Sequence, residues 1–182
     1  MAVPATERLR LELPATLARS LERLAAGVAL SEVLEALLVF VESESSGDMM
    51  ASVLLLDADG KRLLHGAAPS LPQEYNAAIH GLEIGPGVGS CGTAAYLGHP
   101  VYVTDIASDA LWVDFKDLAL AHGLRACWST PFHDPDGRVL GTFAVYHSTP
   151  RNPTLDELGA INMISDTVAA AVGRQRRSKP QA

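Results

Sequence analysis

The spacing of apolar residues changes twice along the chain, and this change limits the folds open to it. Near the N-terminus Leu17, Leu21, Leu24 and Val28 fall near one helical face, with Pro14 placed to open the helix at its first turn and Gly27 to end it. A second helix is expected from a cap at Ser31 through Val33, Leu34, Leu37, Leu38 and Val41, ending in the polar stretch Glu42 to Asp48. At the other end Thr154 and Glu157 form a capping box, and Leu158, Ile161, Ile164, Val168 and Val172 carry the stripe of a long last helix.

Between these helices the pattern is that of strands. Ser52 to Leu56 and the run at Leu63 and Leu64 flank the turn Asp57 to Gly60, which predicts a hairpin. Leu124 to Phe132 and Arg138 to His147 flank Asp134-Pro-Asp-Gly137 and predict a longer one. Val101 to Val103 is strand-like, and short helices are expected from Pro72 to Gly81, Ser90 to Leu97 and Phe115 to His122. About five or six mostly antiparallel strands enclosed by terminal helices read as an α+β domain with its helices gathered on one face of a sheet.

Of the 182 residues, 48% are hydrophobic and 19% charged, as in an ordinary packed domain. The formal charge of -7 leaves no broad basic surface, so nucleic acid is not an expected partner. The basic run Arg174, Arg176, Arg177 and Lys179 reads as the solvated end of a helix. No stretch approaches the ~20 apolar residues of a membrane span, and Glu7, Arg8, Arg10 and Glu12 stand where a signal peptide would be apolar. The expected location is cytoplasmic, with no membrane partner and with Cys91 and Cys127 kept as thiols.

The stretch with most chemical content is Gly85 to Gly98. Glycines before a helix let backbone N–H groups point at a ligand, and Ser90, Cys91, Gly92 and Thr93 would supply donors there; a tight turn with no ligand is the alternative reading. Asp105 and Trp112 in the following loop, and Ala126, Cys127, Trp128 and Ser129 on the next strand, are candidates for the walls of a small-molecule pocket. Cys91 at a helix start is a candidate nucleophile without a recognisable local partner. The six histidines stand singly, which gives no metal site.

Gly87-Val-Gly-Ser-Cys-Gly-Thr-Ala-Ala95, Pro100-Val-Tyr-Val-Thr-Asp-Ile106, Leu111-Trp112, Gly123-Leu-Arg-Ala-Cys-Trp-Ser-Thr-Pro131 and Gly137-Arg-Val-Leu-Gly-Thr-Phe-Ala-Val-Tyr146 resemble, in order and spacing, the GAF domains of bacterial sensor proteins. The resemblance implies a six-stranded antiparallel sheet with terminal helices on one face and a ligand pocket on the other, often in a homodimer. It places a GAF-like domain at residues 31–177, after an N-terminal helical extension over 1–30 and before a tail at 178–182. It implies a small-ligand sensor with no catalytic residue and no cofactor, nitrate being the first ligand to consider, regulating a protein partner such as a sensor kinase. GAF-type free methionine sulfoxide reductases share the Cys-Gly-Thr-Ala-Ala segment, so a thiol-dependent reductase using Cys91 is the alternative. Those enzymes need further cysteines in the segment before the next strand, and there are none between Ile106 and Ala126.

Overall fold

The computed structural model describes residues 5–45 and 48–178. Lys179 and the rest of the expected tail, and the first four residues of the expected N-terminal extension, lie outside them. Among the described residues six helices and six strands follow in the order α1 (Ala5–Ala25), α2 (Leu30–Ser43), β1 (Met50–Leu56), β2 (Arg62–Ala67), α3 (Gln73–Ile79), β3 (Leu82–Glu83), α4 (Gly89–Leu97), β4 (Val101–Val103), α5 (Lys116–Ala121), β5 (Ala126–His133), β6 (Val139–His147) and α6 (Leu155–Ser178). A 3-10 turn over Ala110–Trp112 precedes α5.

The strands form one antiparallel sheet in the order β3-β2-β1-β6-β5-β4. Both expected hairpins are present, and Gly60 and Gly137 take φ of 70° and 82° in their turns, a region open to glycine. The central strands β5 and β6 are buried almost end to end because the sheet is covered on both sides. One layer is α1, α2 and α6, packed on Trp128, Phe132, Phe143 and Val145. The other is α3, α4 and α5, packed on Leu54, Leu63, Cys127 and Tyr146. The α+β class and the GAF-like arrangement of sheet and terminal helices are thus as expected, with three short helices covering the second face.

In the layer of terminal helices two starts differ from expectation. Pro14 does not open a helix but lies inside α1, because Leu9, Leu13 and Leu17 extend the apolar stripe toward the N-terminus and Leu13 is 1% exposed. Ser31 does not cap α2; Ala29 occupies the cap position without a side-chain bond, and Ser31 is in the first turn. The capping box is present: Thr154 Oγ1 accepts the Glu157 N–H at 3.2 Å, and Glu157 Oε2 accepts the Thr154 N–H at 2.8 Å. Arg176 is exposed, as expected of this helix end, and its guanidinium also donates to the carbonyls of Leu56 and Leu140 at the end of the sheet.

Candidate functional site

The site is built around the start of α4. Gly89, at φ 57°, lets the chain turn from Val88 into the helix, and the Trp112 ring lies over the place where a side chain at Gly89 would begin. Thr93 staples this turn: its hydroxyl accepts the Val88 N–H at 3.1 Å and donates to the Gly89 carbonyl. Ser90 ties the turn to its surroundings, donating to the Cys127 carbonyl at 2.9 Å and accepting from Trp112 Nε1 at 3.1 Å. Within the first turn of α4 the Gly92 N–H already donates to the Val88 carbonyl at 3.1 Å. The free donors are therefore the N–H groups of Gly89, Ser90 and Cys91, which have no acceptor among the described residues; of the four expected, Ser90 and Cys91 are free, and Gly92 and Thr93 lie in the helix.

The residues that carry these donors border a cavity of about 30 Å³ between α4, α3, α5 and the sheet. A space that size holds roughly two water molecules. Leu54, Leu63, Ile79 and Leu118 make its apolar walls, Trp112 and Phe115 close one side, and Tyr75 and Tyr146 stand at its base. No charged side chain lines it.

The sequence candidates separate into four groups. Ser90, Cys91, Gly92 and Trp112 line the cavity. Cys127 and Ser129 lie behind it, buried on the same face of the sheet. Thr93 shapes the turn, while Asp105 latches the loop before α5 by accepting from Arg125 Nε and Nη2 at 3.0–3.1 Å and from the Ala107 N–H. Trp128 faces the helical layer instead, where its Nε1 donates to the Arg151 carbonyl at 3.0 Å and its ring meets His147 at 4.6 Å; Ala126, two residues before it, shares that side of the strand. A pocket wall at Trp128 and Ala126 is therefore corrected: strand alternation puts them across the sheet from the cavity.

Tyr75 and Tyr146 are site residues that the sequence does not announce. Tyr75 Oη donates to Tyr146 Oη at 3.3 Å, and Tyr146 Oη lies 3.9 Å from Cys91 Sγ. The one available signal is the pairing of Cys127 with Tyr146 across the predicted hairpin. Nothing local points to Tyr75, which the packing of α3 brings in. Burial pushes both phenols well above their ordinary range, so they remain neutral O–H groups. The Cys91 thiol is held below its usual value, first by the neighbouring Cys127 thiol and then by the hydroxyls of Ser129, Tyr146 and Thr142. Burial, with Cys91 alongside, raises Cys127. Among the described residues no three His, Cys, Asp or Glu side chains converge as a metal site, and no helix is long and apolar enough to cross a membrane.

The fold has counterparts among known proteins. The chain is 40% identical over 140 residues to the methyl sulfide methyltransferase-associated sensor of Methanosarcina acetivorans, a match covering 77% of this chain and only 14% of that protein. Among solved structures it resembles a domain of a protein described as a two-component sensor histidine kinase from Sinorhizobium meliloti, with TM-score 0.66, 24% identity and coverage of 83% of this chain and 99% of that one. It also resembles the free methionine-R-sulfoxide reductase of Neisseria meningitidis in complex with its substrate, with TM-score 0.73, 15% identity and coverage of 98% and 96%. These two likenesses establish the fold. The GAF domain family matches residues 27–173, and with the sensor relative this makes the chain a member of the GAF domain family.

Proposed function

We propose that this GAF domain is a cytoplasmic sensor module that takes a small ligand at the start of α4 and signals to a protein partner such as a sensor kinase. The supporting observation is the uncharged cavity of about 30 Å³ bordered by Gly89, Ser90 and Cys91, whose N–H groups have no acceptor among the described residues. The positive end of a helix suits an anion or a polar oxygen, and the aromatic walls suit a flat ligand. The cavity volume favours a few heavy atoms over a nucleotide. Nitrate is the first ligand to test, with nitrite, chloride, acetate and a cyclic nucleotide as comparison. Calorimetric titration is expected to give saturable binding of nitrate, lost in Cys91→Leu, whose larger side chain fills the cavity. Absence of binding up to millimolar concentration of every anion rejects the anion assignment.

Signal output is assigned to the helical layer. Leu11, Leu155 and Met163 are exposed apolar residues on α1 and α6, with relative exposures of 68%, 87% and 41%, and they support a homodimer through those helices. A monomer by light scattering at micromolar concentration rejects that assembly. The reductase reading has one observation in its favour, the Cys91 thiol held among donor groups. Turnover of free methionine sulfoxide with a dithiol reductant, abolished in Cys91→Ser, would establish it in place of the sensor-only reading.

A further inference from the structure

Among the described residues His147 is the only buried histidine, 2% exposed at the end of β6. Its Nδ1 stands 3.8 Å from Asp48 Oδ1, and the other oxygen of that carboxylate accepts the Ser148 N–H at 2.7 Å. Its Nε2 is buried with no hydrogen-bond partner among the described residues. The ring lies against Trp128, with 4.6 Å between ring centres. Trp128 is in turn tied to the start of α6: its Nε1 donates to the Arg151 carbonyl at 3.0 Å, and the Arg151 guanidinium sits 5.1 Å from its ring centre. The same guanidinium donates to both carboxylate oxygens of Glu157 at 2.7 and 2.8 Å, and Glu157 also accepts the Thr154 N–H in the capping box. Tyr146, one residue before His147, lines the cavity on the other side of the sheet, so His147 stands between the cavity and the start of α6.

We propose that His147 is a proton-operated latch: neutral, it packs against Trp128 and keeps the Arg151–Glu157 clamp on the start of α6; protonated, it leaves that place and the clamp loosens. A neutral ring with its N–H toward Asp48 leaves only a lone pair at the buried Nε2. A proton added there makes a buried cation whose new N–H has no acceptor, a condition that the fold relieves by letting the ring go. The way out is toward Asp48, whose side chain is 43% exposed and offers a carboxylate beside water. Arg151, after β6, opposes the cation, while Asp48, before β1, and Glu157, on α6, favour it. Arg125, before β5, meets His147 through its backbone N–H, which donates to the His147 carbonyl at 2.8 Å, while its guanidinium is held by Asp105. Burial first, and Arg151 after it, outweigh the two carboxylates and hold His147 below the ordinary histidine value. The closed arrangement is therefore fully held above the ordinary value, about pH 6.5, and is lost as the pH falls through the lower value of the folded protein. The latch is independent of the ligand assigned to the cavity.

The test is an NMR titration of the full chain from neutral to acid pH, following the His147 ring, the Trp128 indole N–H and the backbone amides of Thr154 and Glu157. The ring is expected to titrate below the ordinary histidine value, and the other three resonances to move with the same midpoint. In His147→Phe, whose ring fills the place against Trp128 and takes no proton, those three should keep their neutral-pH positions over the same range. Asp48→Asn removes an attraction for the cation and should carry the ring and amide midpoints to lower pH together, a readout that loss of packing alone would not produce. It decides the matter even where the Phe variant folds poorly. A ring that titrates while the Thr154 and Glu157 amides stay still overturns the proposal, as does a ring that takes its proton only when the whole chain unfolds. So does an amide transition that persists in His147→Phe, or that keeps its midpoint in Asp48→Asn while the ring midpoint moves.

Discussion

Single residues hold this sheet at places where a side chain would not fit. At Gly141, in the middle of β6, an added Cβ would run into the Leu54 carbonyl on β1 and come within 2.7 Å of the Phe132 ring. Gly141→Ala is expected to cost about 2 kcal/mol, as overpacking does, read as a lower urea midpoint with an unchanged slope. An unchanged midpoint would mean that the strands separate freely at this point. The contrast with Thr154 shows what sequence can reveal. The capping box is local, two residues three apart, and is legible from their spacing alone; the crowding at Gly141 comes from a partner strand far away in the chain and is not. The same holds at the site, where Ser90, Cys91, Gly92 and Trp112 belong to readable segments, whereas Tyr75 reaches the cavity only through the packing of α3.

At the scale of elements, tertiary burial overrides local preference in α1 and hydrogen-bond counting refines α4. Pro14 suits a first helical turn, yet α1 continues through it because burying Leu13 and Leu17 outweighs one missing backbone bond. Replacing Pro14 with Ala restores that bond and is expected to stabilise the fold by about 1–3 kcal/mol, seen as a rise in Tm. A fall in Tm would show that α1 packs correctly only with the proline in place. In α4 the glycine-rich run points to the right place and to two of the free donors, Ser90 and Cys91, but the helix begins one residue earlier than Ser90. That shift engages the Gly92 N–H and leaves Gly89 free in its place. The side of the sheet taken by Trp128 is hidden for a related reason. A strand buried on both faces reads as one apolar run, and only the pairing register tells which side chain looks toward which layer.

For the whole molecule, the sheet divides two cores with different content. The layer of α1, α2 and α6 packs on a largely aliphatic and aromatic core, while the layer of α3, α4 and α5 encloses the cavity, both cysteines and the two tyrosines, set edge to face. The proposed sensor would bind its ligand on one side and signal through the helices on the other, which requires that the ligand bind two conformations unequally. Everything in this division depends on the start of α4 being where the ligand binds. The decisive experiment follows the backbone amide resonances of the ¹⁵N-labelled protein during titration with nitrate. Saturable shifts are expected at Gly89, Ser90 and Cys91, with the Trp112 indole N–H following. Saturable binding that moves other amides and leaves these unmoved would contradict a site at the start of α4.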